Sequence, residues 1–259
     1  MEVVIAPADE LARLAADSIE ALLTRRPRTV LGLATGSSPL KVYDELARRH
    51  KDGLSFAHAR AFMLDEYVGL PAEHPERYRN VIEREIASRV DLAPGAVQGP
   101  DGNAEDLDRA CADYEAAIAA TGGVDLQILG IGTDGHIAFN EPGSSLASRT
   151  RIKTLTRQTR EDNARFFGGA VDDVPRHCLT QGLATIMSAK HLVLLATGRA
   201  KAEAVHQLVE GPISAMWPAT IMQMHPHASV LVDDAAASRL QLADYYRQTY
   251  AEKPAWQSL

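Results

Sequence analysis

Between Ile128 and Pro142 an apolar run passes into a glycine-rich turn, and Asp134, His136 and Glu141 then fall within eight residues of one another. A carboxylate beside an imidazole raises the ring's pKa and orients it, which suits a group that takes a proton and later returns it. Glycines at 130, 132 and 135 let the backbone approach a ligand closely. The third glycine of a dinucleotide fingerprint is missing, so a nucleotide site is a poor reading. Asp134 and His136 do not make a full metal-ligand set, and no metal is expected. A second pair of acids, Asp65 and Glu66, closes the apolar run Phe62-Met63-Leu64. Desolvation beside apolar surface raises a carboxylate's pKa and makes it a usable base near neutrality. The plainer alternative for that pair is a solvated strand end or helix cap.

Two further loops have the chemistry of anion binding. In Leu33-Ala34-Thr35-Gly36-Ser37-Ser38-Pro39 a strand ends in a small-residue turn, with Ser38 placed to cap a helix and Pro39 at its first position. Free amides, a helix dipole and the hydroxyls of Thr35, Ser37 and Ser38 would face a phosphate there, although an ordinary strand–turn–helix junction has the same look. Leu195-Ala196-Thr197-Gly198-Arg199-Ala200-Lys201 repeats the theme, with Lys201 one turn into a helix. Lys201 reads either as a point charge for a phosphate or as a solvated first-turn lysine. His225 and His227 read as loop residues, and His50, His58, His74, His177, His191 and His206 have no partners in sequence. Met216, Trp217, Ile221, Met222 and Met224 read as a buried helix face.

These loops need a frame. Val3–Ile5, Thr29–Ala34, Ala61–Leu64, Val124–Ile131, His191–Ala196 and Ser229–Val232 are apolar on consecutive residues, as strands covered on both faces should be. Helical spacing is present over Asp9–Arg25, Pro39–Arg49, Glu76–Arg89, Ala104–Ala120, Ala200–Val209 and Ala235–Tyr250. The alternation predicts an α/β fold: one domain over residues 1–259, a mostly parallel twisted sheet with helices on both faces, doubly wound and Rossmann-like. Ligands of such sheets sit outside the carboxyl ends of the strands, where the four loops above lie. A chain of 259 residues with 46% hydrophobic content has material for that core, and 24% charged residues mark an ordinary soluble protein. Net charge of −7 argues against a general nucleic-acid or membrane-surface binder. Cys111 and Cys178 show no ligand spacing and read as small buried apolar residues in a reduced, cytoplasmic compartment. The Met1–Pro7 segment has no signal-peptide pattern, and no apolar run is long enough to span a membrane.

Taken together, the segments resemble the glucosamine-6-phosphate deaminases. The resemblance rests on Gly32-Leu33-Ala34-Thr35-Gly36-Ser37-Ser38-Pro39, on Leu64-Asp65-Glu66-Tyr67-Val68-Gly69-Leu70-Pro71 with Glu73-His74-Pro75-Glu76, and on Gly130 through Pro142. Ser144 through Leu155 is a further close match, whereas the last residues match poorly. The resemblance implies conversion of glucosamine 6-phosphate and water to fructose 6-phosphate and ammonia, without a cofactor. It implies that Asp65 moves a proton between C2 and C1, and that His136, held by Asp134 and Glu141, assists ring opening. It also implies that the Thr35-Gly36-Ser37-Ser38 loop, Arg165 and Lys201 grip the phosphate. Two rivals stand beside it. A 6-phosphogluconolactonase-like hydrolase shares the fold and an Asp-Gly-His segment but lacks the Glu141 acid and uses an Asp-Glu-Arg strand end. A non-catalytic sugar-phosphate sensor is the other, disfavoured by the intact acid–base set.

Ser144, Arg149, Arg151 and Lys153 put three cations and a hydroxyl within ten residues. In an extended segment Arg149, Arg151 and Lys153 share one face, either as a solvated strip or as an anion site. In hexameric deaminases of this family the positions matching Ser144, Arg151, Lys153 and Thr154 bind an activating N-acetylglucosamine 6-phosphate. The resemblance therefore implies a hexamer with that activator. The family's allosteric site also uses a tyrosine near the C-terminus, where Arg247 stands here behind Tyr245 and Tyr246.

Overall fold

The computed structural model describes residues 1–259 other than Ala255 and Ser258. In chain order the elements are β1 (Glu2–Ile5), α1 (Ala8–Arg25), β2 (Val30–Leu33), α2 (Leu40–Lys51), β3 (Arg60–Met63), β4 (Asp65–Tyr67), α3 (Tyr78–Glu85), β5 (Val97–Gln98), α4 (Leu107–Ala120) and β6 (Leu126–Leu129). There follow β7 (Arg151–Thr154), α5 (Arg157–Asn163), β8 (His177–Thr180), α6 (Leu183–Ile186), β9 (Leu192–Ala196), α7 (Ala202–Glu210), β10 (Ala228–Val232) and α8 (Ala243–Ala251).

Seven strands form one sheet in the order β1-β10-β9-β6-β2-β3-β5, and every pairing in it is parallel. β2, β6, β9 and β10 are buried at every residue, which explains their unbroken apolar runs. The chain leaves β2 toward β3 on one side, while β6 lies on the other, so the order reverses between β2 and β6. Loops leaving adjacent strands at such a point diverge and open a crevice. The Thr35–Ser38 loop and the Gly130–His136 loop are the two walls of that crevice.

A second sheet, β4-β8-β7, is antiparallel and three-stranded. It went unread in the sequence because its strands are short and carry Asp65, Glu66, Arg151 and Lys153 rather than apolar runs. It packs with its own smaller cluster of Tyr67, Leu70, Phe139, Leu155, Phe167, Val174 and Cys178.

Several element ends differ from the expected ones. Ser38 makes no cap: Pro39 is itself the residue preceding α2, and the helix starts at Leu40. The helix expected over Glu76–Arg89 is α3 followed by a separate 3₁₀ turn, Ala87–Arg89. Lys201 belongs to a 3₁₀ turn, Arg199–Lys201, ahead of α7 rather than one turn into it. Turns fill most of the stretch expected as the start of the last helix, which begins only at Ala243. The expected buried face from Met216 to Met224 is a 3₁₀ segment, Pro218–Met224, with Ile221 and Met222 inside. Met216, which precedes that segment, and Met224, which ends it, are exposed. Cys111 and Cys178 are free and buried, and no described helix is long and apolar enough to cross a membrane.

Candidate active site

The Tyr43 hydroxyl, rising from α2, bridges both polar groups of Ala34: it accepts from the amide at 3.1 Å and donates to the carbonyl at 2.8 Å. This pins the exit of β2, and Gly36 then turns the chain at φ +88°, a conformation that strains any residue with a Cβ. Across the crevice, the Gly132 amide donates to the His136 carbonyl at 2.9 Å and the Gly135 amide to the Gly132 carbonyl at 3.1 Å. The imidazole of His136 packs against the bare Cα of Gly132: a Cβ there would sit 2.3 Å from the ring.

His136 is flanked by the two acids expected of it. Asp134 Oδ1 lies 2.6 Å from Nδ1, and Glu141 Oε2 lies 4.0 Å from it. The Asp134 contact is close but off the N–H direction, so Nδ1 is buried without an aligned acceptor, as is Glu141 Oε2 without a donor. Burial pushes the Asp134 carboxyl up, but the contact and charge of His136 outweigh it and bring the group down to about 2. Asp134 therefore stays charged, with its carboxylate against the imidazole. Between His136 and Glu141 the chain reverses at Ala138, whose φ of +52° is the one positive value at a described non-glycine residue. Asn140 holds this bend by donating from its side chain to the carbonyls of Ile137 at 3.0 Å and Gln181 at 2.8 Å. Asp134, His136 and Glu141 each place a ligand atom within 4.8 Å of the others, so the trio has the reach to hold a cation.

Asp65 opens β4 immediately beyond β3. Gln181 anchors this junction: its amide donates to the Leu64 carbonyl at 2.8 Å and its side chain to the Met63 carbonyl at 2.9 Å. The Asp65 side chain is buried, and among the described residues no donor hydrogen-bonds its carboxylate. Burial first, and the neighbouring charge of Glu66 second, push its pKa well above the usual aspartate range. Glu66 is held differently, accepting from the amides of Tyr67 at 2.9 Å, Tyr78 at 2.9 Å and Arg79 at 3.0 Å. The adjacent acids thus divide: Glu66 is a structural anchor for α3 and Asp65 faces the crevice.

Thr35, Gly36, Ser37, Ser38, Asp65, His136, Arg165 and Lys201 all line one cavity of about 580 Å³. Asp134 and Glu141 stand behind His136. Lys201 is carried in by Gly198, at φ +88°, whose amide donates to both Asp233 oxygens at 3.0 and 3.1 Å. Burial lowers the Lys201 pKa. Arg165 follows α5 and lies over the Phe166 ring at 4.8 Å. The sequence reading missed that α5 also lines the cavity, through Thr159, Asp162 and Asn163, and that Tyr78 and Phe139 form its aromatic wall. Thr156 was the available signal, since it caps α5 by accepting from the Thr159 amide at 3.2 Å.

The cation strip is partly broken up. Arg151, Lys153 and Thr154 lie on β7, the edge of the small sheet. Arg149 precedes the strand and is ion-paired with Glu115. Ser144 is buried with its hydroxyl unpartnered, in the loop after Glu141. Arg247, where the family's tyrosine was expected, is ion-paired with Asp234.

A family model described as glucosamine-6-phosphate isomerases/6-phosphogluconolactonase matches residues 5–232. The glucosamine-6-phosphate deaminase of Beutenbergia cavernae is 79% identical, with both chains covered in full. That of Mycolicibacterium smegmatis is 73% identical over the same extent. A solved structure described as a monomeric glucosamine-6-phosphate deaminase superposes with a TM-score of 0.90 at 42% identity, covering 92% of this chain and all of its own. A 6-phosphogluconolactonase from Trypanosoma brucei shares the fold, with a TM-score of 0.75 at 22% identity over 92% of this chain and 98% of its own. This chain therefore belongs to the family of glucosamine-6-phosphate isomerases and 6-phosphogluconolactonases.

Proposed function

We propose that the chain is a glucosamine-6-phosphate deaminase, converting glucosamine 6-phosphate and water to fructose 6-phosphate and ammonia. The observation that carries this reading is Glu141, a buried acid held 4.0 Å from the imidazole of His136 in the wall of a cavity that also contains Asp65. The lactonase-like alternative has no use for that acid, and the deaminases named above are the relatives of high identity.

The chemistry follows from the positions. The sugar phosphate sits with its anion against the Thr35–Ser38 amides and hydroxyls, Arg165 and Lys201. Phosphate charge favours the cationic form of Lys201, which burial opposes. His136 takes the proton from the anomeric hydroxyl and returns one to the ring oxygen as the C1–O5 bond breaks. Asp134 stabilises the imidazolium in between. Asp65 then removes the proton from C2 of the open aldehyde and delivers it to C1. The electron pair passes through an enol-amine, leaving an imine at C2. Water adds to that carbon and ammonia departs, giving the ketose. No electrons are gained or lost. A desolvated carboxylate with no competing donor suits the C2 step, because nothing stabilises its charge in place of the substrate proton.

Activation belongs to the same proposal. Arg151, Lys153 and Thr154 on β7, with Ser144 nearby in sequence, would bind N-acetylglucosamine 6-phosphate in a hexamer. The 42%-identical relative described as monomeric supplies the opposing expectation. Equilibrium sedimentation, with saturation curves run with and without that sugar phosphate, decides between a responsive hexamer and an indifferent monomer. For the reaction itself, ammonia and fructose 6-phosphate should appear in equal amounts from glucosamine 6-phosphate, while 6-phosphogluconolactone is not hydrolysed. Lactone hydrolysis without ammonia release would replace this reading by the lactonase one. Tight binding without turnover would make the chain a sensor.

A further inference from the structure

The two oxygens of the buried Glu141 carboxylate have unlike surroundings. Oε1 accepts from the Thr159 hydroxyl at 2.6 Å and, at the long distance of 3.4 Å, from the amide of Thr156, while the Thr156 hydroxyl is equally far and has a nearer acceptor in Thr159. Oε2 has no donor and faces His136. Among the described residues no lysine or arginine pairs with this carboxylate, so hydrogen bonds must compensate much of its burial, and only the one from Thr159 is short. The threonine is set for that task. Its backbone amide is taken by the Thr156 cap at 3.2 Å, and its hydroxyl oxygen lies 3.1 Å from the Thr156 hydroxyl, which can donate to it. The one hydroxyl proton of Thr159 is then committed to Glu141.

We propose that Thr159 is a positioning residue for ring opening: it fixes the rotation of Glu141 so that the free oxygen points at His136, and so ties that pair to the helix that forms the phosphate end of the cavity. Thr159 is buried on α5, Asp162 and Asn163 of the same helix line the cavity, and Arg165 follows in the next turn. Docking of α5 on the substrate phosphate and the orientation of the His136 partner are thereby set by one element. The inference rests on the reading of Glu141 as the acid that orients His136.

The test compares two substrates. One is glucosamine 6-phosphate, which must be opened. The other is its 4,5-dideoxy analogue, which has no hydroxyl placed to close a five- or six-membered ring. Thr159→Val keeps the shape and β-branch but removes the hydroxyl. A charge-assisted hydrogen bond of this kind is worth about ten- to a hundredfold. The expected result is that loss in kcat on the closed substrate, with little change in KM, a much smaller loss on the open analogue, and recovery of most activity in Thr159→Ser. Glu141→Gln is the control. If Glu141→Gln is as active as wild type on the closed substrate, the reading of Glu141 fails and the inference with it. If Glu141→Gln is selectively impaired but Thr159→Val keeps more than half of wild-type kcat, the inference alone is overturned. Equal losses on both substrates that Ser does not rescue would assign Thr159 to packing. Should the valine variant unfold by circular dichroism, Thr159→Ala removes the same hydroxyl without demanding space and is read in the same way.

Discussion

Asp65 and Asp125 are buried to the same degree, 5% and 4% exposed, at opposite ends of the same sheet. Asp125 stands just before β6, at its amino end. Its carboxylate receives Arg26 at 2.9 Å, Lys190 at 2.6 Å and the Val30 amide at 2.8 Å. Asp65 stands just past the carboxyl end of β3, with a second acid beside it and, among the described residues, no donor to its carboxylate. The cost of burying a charge is offset in the first case and left standing in the second. One end of the sheet spends its polar groups on clamping strands, and the other leaves a carboxylate that gains from taking a proton. The difference separates the part of the molecule that holds from the part that reacts.

Exchanging a single oxygen for nitrogen puts this contrast to its hardest test. Asp65→Asn should fold and lose ~10²–10⁴ in kcat, because the amide cannot accept the C2 proton. It should also raise Tm at neutral pH. The folded pKa of Asp65 is raised, so its contribution to stability is fully present below the usual aspartate range. That contribution is lost as pH rises through the raised value. The gain in Tm should therefore shrink toward acid pH. A folded mutant retaining a tenth of wild-type kcat would show that Asp65 is not the base. In the wild type, kcat/KM should fall on acidification through a pH above the ordinary aspartate range.

Removing charge at the phosphate end should act on binding instead. Lys201→Ala and Arg165→Ala should each raise KM by about ten- to a hundredfold, the worth of a charge-assisted hydrogen bond. Glucosamine without phosphate should be used very poorly by the wild type. If it reacts as well as the phosphorylated sugar, the cations at this end do not grip phosphate. At the clamped end, Asp125→Ala should leave kcat and KM unchanged and cost about 1–3 kcal/mol of stability, because the buried Val30 amide loses its acceptor. Denaturant unfolding reads that loss. A drop in kcat at unchanged fold would show that the two ends are not independent.

The parallel strands were legible because burial on both faces leaves uninterrupted apolar runs, as in Leu192–Ala196. The loops after them were legible because glycine and small residues at a strand end have few other uses. The small antiparallel sheet was not. Asp65-Glu66-Tyr67 and Arg151-Ile152-Lys153-Thr154 carry charges on strands of four residues or fewer, and their pairing is set by partners distant in sequence. Thr159 was hidden for a related reason. α5, Arg157–Asn163, is polar throughout, so no apolar stripe announces it, and the value of its threonine lies in an acid that approaches from another loop. Ser38 was read as a cap on chemistry alone. In the fold it sits against Gly130, where an added Cβ would come within 3.2 Å of its hydroxyl oxygen, and it faces the crevice rather than the helix.

The register of that small sheet has a mechanical consequence. Asp65 pairs with Thr180, and Thr180 pairs with Arg151 on its other side. Asp65 and the first cation of β7 thus occupy one rung of a ladder, two strand spacings apart, or roughly 10 Å. Residues opposite one another on a ladder project to the same side, and a register shift of one residue would turn every side chain of the strand to the other face. The outer edge of β7 is therefore joined to Asp65 through two sets of backbone hydrogen bonds and one intervening residue. The outer rim of the molecule is, for this carboxylate, only a lever arm away.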